Sequence, residues 1–322
     1  MGVVDLSGLA ARLPAWCRAA STLRRLALAS VVANVVIVVT GGAVRLTGSG
    51  LGCPTWPSCT DRSLTPTRQY AVHGLIEFTN RQLTFVLVII VLATLAVALL
   101  RRTERRLAVL LAASIPAQAV LGGITVLTKL NPWTVAAHFL LSSCIIAVAY
   151  LLWWRVRAPV DPRRHRPAAG RSLVSTGWLL LGLTGAVLLA GTVVTGSGPH
   201  AGDKGASHRI HLAPSSITQL HADLVMLLIG VTAGLVLLAG AGQVRRAGGW
   251  LLGVELAQGG IGYLQYFTHV PPLLVGIHML GACLVWLAAL AVLGSLDVRP
   301  FRRAAEPATE ATRRARAAEL AR

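Results

Sequence analysis

Residues 71–100 read Ala-Val-His73-Gly-Leu-Ile-Glu77-Phe-Thr-Asn80-Arg81 and then Gln-Leu-Thr-Phe-Val-Leu-Val-Ile-Ile-Val-Leu-Ala-Thr-Leu-Ala-Val-Ala-Leu-Leu100. From Leu83 to Leu100 the run carries no charge. A helix needs about 20 apolar residues to cross a bilayer, so this run predicts a transmembrane helix. Its polar residues crowd into the first turns. His73, Glu77 and Asn80 stand at i, i+4 and i+7, which places them on one helical face. An imidazole and a carboxylate inside a membrane span are costly and usually functional.

The rest of the chain follows the same pattern. Its 322 residues are 54% hydrophobic and 13% charged, against roughly 25% charged in a soluble domain. Eight apolar stretches are expected to span the bilayer, near 23–46, 71–100, 107–127, 134–154, 172–195, 218–241, 248–267 and 273–294. Residues 1–22 hold Asp5, Arg12 and Arg18 and no apolar run, so no cleavable signal peptide is expected. The net charge of +18 raises the question of nucleic acid, but the positions of the charges answer it. Of the 30 basic residues, 23 fall on one side: before the first span, between spans two and three, four and five, six and seven, and after the eighth. By the positive-inside rule that side is cytoplasmic. The expectation is a multi-pass plasma-membrane protein, surrounded by lipid, with both termini inside and no nucleic-acid partner.

The chain repeats itself. Gly48-Ser49-Gly50 and His73 recur 148 residues later as Gly196-Ser197-Gly198 and His221. Gln118, Gly122, Pro132 and His138 recur 140 residues later as Gln258, Gly262, Pro272 and His278. Each half therefore has four helices, and an even number of spans makes the halves parallel. The expected fold is an all-α integral membrane protein. Its eight transmembrane helices form two tandem four-helix bundles with pseudo-twofold symmetry about the membrane normal. The layout is a cytoplasmic segment 1–22, an N-terminal half 23–154, a basic linker 155–171, a C-terminal half 172–294 and a cytoplasmic tail 295–322.

His73, His138, His221 and His278 lie at one level, just inside the outward ends of the even-numbered spans. Haem iron with two axial histidines needs one ring from each of two facing helices, and four-helix bundles place cofactors in this way. The pairs His73/His138 and His221/His278 predict one haem-sized site per half. The competing reading is hydrogen-bonded core histidines. Zinc is weaker, because no cysteine or carboxylate keeps a consistent spacing across both halves. His165, His200, His208, His211 and His269 read as loop histidines.

The halves differ in one respect. The second-half equivalents of Glu77 and Asn80 are Val225 and Leu228. Glu77 is thus a candidate proton acceptor or charge stabiliser in one half only, with a structural ion pair to Arg81 as the alternative. Arg45 and Arg81 are candidates to hold propionates or to snorkel. Cys53-Pro-Thr-Trp-Pro-Ser-Cys59, on the outer side, can close a disulfide loop. The pair is either a staple worth about 2–3 kcal/mol or a redox-active dithiol. Cys17 is expected in the cytoplasm, and Cys144 and Cys283 as small apolar fillers within spans.

Over residues 23–294 the chain resembles the haem A synthase family. The resemblance rests on Gly41-Gly42 through Gly50-Leu51, Cys53-Pro-x-Trp-Pro-x-Cys59, Ile76-Glu77-Phe78-x-Asn80-Arg81, Thr195-Gly-Ser-Gly-Pro-His200-Ala-Gly-Asp203 and the four histidines. It implies oxidation of the C8 methyl group of haem O to a formyl group, giving haem A for cytochrome oxidase. It also implies haem b on His221 and His278, substrate haem O in the N-terminal half, and a catalytic Glu77. Haem O synthase and cytochrome oxidase assembly factors are the implied partners, and a homo-oligomer is compatible. Many members have Glu-x-x-His-Arg where this chain has Glu77-x-x-Asn80-Arg81. Asparagine is a poor iron ligand, so His73, two turns earlier, is expected to pair with His138.

Three rivals come from other classes. A dihaem b-type electron-transfer protein would use the histidines but not the single Glu77. A transporter would use a parallel repeat but shows no helix broken at mid-membrane. A quinone-linked thiol oxidase would use Cys53 and Cys59 but usually needs further cysteines.

Overall fold

The computed structural model describes residues 19–61, 63–65, 71–157, 170–199, 201, 209–298 and 301. Residues 1–18, most of the 155–171 linker and nearly all of the chain beyond 298 lie outside the described residues. So do Cys17, His165, His200 and His208.

Among the described residues there are eight α-helices and no strand. They are α1 (Ala20–Leu46), α2 (Ala71–Leu100), α3 (Arg105–Leu127), α4 (Pro132–Val156), α5 (Arg171–Ser197), α6 (Pro214–Leu238), α7 (Gln243–Phe267) and α8 (Pro272–Ser295). Seven are long and apolar enough to cross a membrane. The exception is α7. Its 25 residues reach about 37 Å, long enough to span, but Arg245, Arg246, Glu255, Gln258 and Gln265 dilute its apolar character. The outer surface is that of a lipid-facing protein. Phe85, Ile89 and Leu92 are all more than half exposed on one stripe of α2, which water would penalise and hydrocarbon does not. At the end of α7, Tyr263, Tyr266 and Phe267 are exposed where an interfacial aromatic belt would lie. The chain is a multi-pass membrane protein.

Proline opens α4, α6 and α8, where the missing N–H costs nothing and the fixed φ suits the first turn. Asn131 caps α4 by accepting the Trp133 N–H at 3.0 Å. The turns entering α4 and α8 share one backbone. Lys129 and Leu130 have φ of 52° and 59°, and His269 and Val270 have 58° and 61°. In each turn the second residue's N–H returns to a carbonyl five residues back, Leu130 to Thr125 and Val270 to Gln265.

Helix α1 packs on α2 and α4, and α3 on the same two; α5 packs on α6 and α8, and α7 on the same two. Helix α8 also touches α1 and α4, and α4 touches α5. Small and polar residues mediate the close approaches, as expected where lipid supplies no hydrophobic drive between helices. Ser30 and Thr94 hydroxyls pair at 3.1 Å between α1 and α2, and the Trp286 indole donates to the Ser143 carbonyl at 2.8 Å between α8 and α4. At Gly42 of α1 the end of the Met279 side chain of α8 occupies the space that a Cβ would take. The main buried apolar cluster includes Leu87, Val91 and Val97 of α2 and Val285 through Leu296 of α8, toward the ends away from the histidines.

Candidate functional site

The N-terminal site is built around the cysteine loop. Cys53 and Cys59 form a disulfide, with Cα atoms 4.3 Å apart, and both residues are buried. The loop is pinned onto the first turns of α2. The Cys53 N–H donates to Glu77 Oε2 at 2.7 Å, and Arg81 Nη2 donates to Glu77 Oε1 at 2.6 Å. Arg81 also donates to the carbonyls of Cys53, Thr55 and Ser58 at 3.0–3.2 Å. Glu77 is 5% exposed, so its charge is held by two short, charge-assisted bonds out of water. The ion pair with Arg81 is therefore present, and it is also the means by which α2 grips the loop. In this arrangement the Arg81 guanidinium is turned into the loop rather than free for a propionate. Opposite, the Trp56 ring lies against Gly123 of α3, whose neighbour Gly122 faces the His138 ring. The loop thus bridges the carboxylate on α2 and the histidine side of α3.

His73 is exposed, and its Nδ1 is engaged by the Ser49 hydroxyl at 2.9 Å. That contact fixes the ring and leaves Nε2 available. Asn80 turns toward Gly41 of α1, and its Oδ1 is buried without a partner. His138 packs its ring beside Gly122, with Cε1 3.1 Å from where a Cβ would stand. Gln118 of α3 donates to the His138 carbonyl at 3.0 Å.

In the second half, His221 of α6 lies beside Gly191 of α5 and reaches the Val187 backbone, and His278 of α8 lies beside Gly262 of α7. The two imidazoles are close enough to interact electrostatically. Gln258 donates to the His278 carbonyl at 2.7 Å.

The donor set tests what these sites can hold. The Nδ1 atoms of His138, His221 and His278 are buried with no partner in good hydrogen-bond geometry, although the His221 ring also lies against the Val187 backbone. Buried polar groups are normally satisfied, and packed core histidines would be. Each ring thus retains a polar atom that the packed protein does not satisfy, which fits a histidine reserved for a bound group. Among the described residues no group of three or more His, Cys, Asp or Glu forms a metal cluster, so a zinc site does not fit. Paired imidazoles fit an axially ligated haem.

Several contacts were not foreseen. Glu255 of α7 is 2% exposed, accepts from Thr232 at 2.9 Å through Oε1, and leaves Oε2 without a partner. Its lone acidic letter in a glycine-rich apolar run was the available signal. Arg45 donates to the Ala201 carbonyl at 2.6 Å and so ties the end of α1 to the second long outer loop. Cys283 is buried as expected, but Cys144 is exposed on α4. It faces outward from the helices and is not a packed filler. His211 and His269 are exposed, as loop histidines should be.

The family model for COX15-CtaA, cytochrome oxidase assembly protein, matches residues 24–202, a stretch that holds the cysteine loop, Glu77, His73 and His138. The chain is 32% identical over 151 residues to the heme A synthase of Geobacillus thermodenitrificans, covering 45% of this chain and 46% of the relative. It is 32% identical over 155 residues to that of Geobacillus kaustophilus, covering 44% and 46%. It is 28% identical over 151 residues to that of Shewanella oneidensis, covering 42% and 44%. These matches span about half the length of the curated relatives. With more than half of its residues matched by one family, this multi-pass chain belongs to the COX15-CtaA cytochrome oxidase assembly proteins.

Proposed function

We propose that the chain is a haem A synthase, an oxidoreductase that converts the C8 methyl group of haem O to a formyl group. The observation that carries this reading is the asymmetry between two otherwise matched histidine sites. One has a buried carboxylate, Glu77, held by Arg81 and the cysteine loop. At the positions matching Glu77 and Asn80 the other has Val225 and Leu228. A dihaem electron-transfer protein would need the histidines but not that carboxylate.

In this reading the helices form two tandem four-helix bundles, 23–154 and 172–294, related about the membrane normal. Two observations support it: each group of four helices packs mainly on itself, and the turns into α4 and α8 coincide. The basic loops face the cytoplasm and the cysteine loop faces outward. His138 and His73 border the substrate haem, with Ser49 orienting the His73 ring. His221 and His278 hold haem b, which when bound supplies a one-electron carrier beside the substrate half.

Methyl-to-formyl oxidation with water as oxygen source releases four protons and four electrons. The protons need an acceptor at the carbon. Glu77, held by Arg81 and by the Cys53 and Gly52 backbone, is the carboxyl group placed to take a proton or orient water. In its ionised form it would also favour cationic character developing at the methyl carbon. Trp56 and the disulfide loop cover this end of α2 and α3 and keep bulk water from it. The four electrons must pass to an external electron acceptor, the co-substrate of the oxidation.

The test is spectroscopic. His221→Ala and His278→Ala should each remove a low-spin b-type signal from the purified protein while His138→Ala retains it. An unchanged haem spectrum and content in both second-half variants would sink the assignment.

A further inference from the structure

The repeat Gln118-x-x-x-Gly122 and Gln258-x-x-x-Gly262 has no role in the chemistry above, yet both copies meet a histidine in the same way. In each, the glutamine amide donates to the main-chain carbonyl of the histidine 20 residues on: Gln118 to His138 at 3.0 Å, Gln258 to His278 at 2.7 Å. One turn further along the same helix, the glycine faces Cε1 of that histidine's ring. We infer that Gln118 and Gln258 are positioning residues for His138 and His278, each holding the histidine's backbone by its amide N–H.

Three observations carry this. First, both amide oxygens, Gln118 Oε1 and Gln258 Oε1, are buried without a partner, and so is Nδ1 of each histidine they hold. The amides are therefore held through their N–H donors, and the contact common to both halves is the one to the histidine's backbone. In the first half the Gln118 amide nitrogen already lies 3.5 Å from the ring's Nε2. Second, partners that orient a ligating histidine from outside are costly to lose, and these are the partners that fix the backbone of His138 and His278. Third, the surroundings differ while the grip is kept. Gln118 is steadied by the Ser142 hydroxyl at 2.5 Å. Gln258 fills a notch that exists only because residue 281 is glycine, where a Cβ would overlap the amide. Simple packing residues would not keep the same carbonyl contact through two different supports.

The inference rests on the haem reading, and the test separates the two. Gln258→Met keeps the side-chain volume and removes both the donor and the acceptor; Gln258→Glu keeps the shape if the methionine variant does not fold. Each is purified as the full chain with its haem, alongside wild type and Gln118→Met. The readouts are the low-spin ferric electron paramagnetic resonance signal, which reports imidazole orientation, and the rate of haem loss to an apo-globin acceptor. We expect Gln258→Met to shift the second-half signal and to weaken haem retention about 10- to 100-fold, the range seen when such outer partners are lost. Gln118→Met should leave that signal in place. Signals and retention identical to wild type in both Gln258 variants would overturn the inference while leaving haem on His221 and His278. A wild-type spectrum indifferent to His278→Ala would remove the inference together with the reading beneath it.

Discussion

Replacing Glu77 by Gln tests how the carboxylate and the cysteine loop are coupled. Glu77 accepts from the Arg81 guanidinium at 2.6 Å and the Cys53 N–H at 2.7 Å, with the Gly52 backbone N–H beside them. A glutamine has one acceptor oxygen and one donor nitrogen, so one of these donors must face an NH2 group. The loss of one hydrogen bond to a charged group costs about 2 kcal/mol. The Arg81 side chain is 21% exposed, so water relieves part of any remaining imbalance. That energy holds the loop on α2, and about 2 kcal/mol corresponds to roughly thirtyfold in the population of the opened loop. Cys53 and Cys59 are 0% and 1% exposed, so a reductant reaches the disulfide only through that opening. The assay is reduction by a soluble phosphine in detergent, followed by alkylation and mass spectrometry. Glu77→Gln should speed reduction about thirtyfold. A rate equal to wild type would show that Glu77 does not hold the loop.

Three other outcomes follow from particular contacts. His73→Ala should lower haem A yield more than Asn80→Ala, because Ser49 orients His73 whereas Asn80 turns toward Gly41; inactivation by Asn80→Ala alone would reverse the ligand choice. Gly123→Val should push the Trp56 ring off α3, increasing its access to quenchers of tryptophan fluorescence and reducing activity; an unmoved ring would refute the bridging role of the loop. Thr232→Val should cost about 1–3 kcal/mol by leaving both oxygens of buried Glu255 without donors, while the double variant with Glu255→Leu recovers most of it. Thermal midpoints of the single and double variants in detergent measure this coupling, and strict additivity would contradict it.

Much of the architecture was legible because lipid imposes a simple rule. An apolar run of sufficient length must be a helix, and α1 to α6 and α8 follow it. Helix α7 obeys it less well, since its polar residues face other helices: Glu255 meets Thr232 and Gln258 meets His278. Hydropathy sees those letters but not their partners. The histidine and carboxylate positions were legible from periodicity. What periodicity could not show is which loop atom completes Glu77. The Cys53 N–H is a main-chain donor 24 residues away, and no side-chain pattern encodes it. The repeated glutamines were visible as a repeat, but their purpose depends on a backbone carbonyl across a helix–helix contact. Cys144 was misjudged because composition alone does not say which face of a span meets lipid.

The central claim is the conversion itself. The most direct measurement is expression of the full chain together with a haem O synthase in cells that lack their own haem A synthase, followed by extraction and chromatographic analysis of membrane haems. Wild type should produce haem A, and Glu77→Gln at matched protein level should produce little, accumulating haem O or its alcohol. Haem O left unconverted by a wild-type protein that carries its b-type haem would contradict the account, and would leave electron transfer as its function.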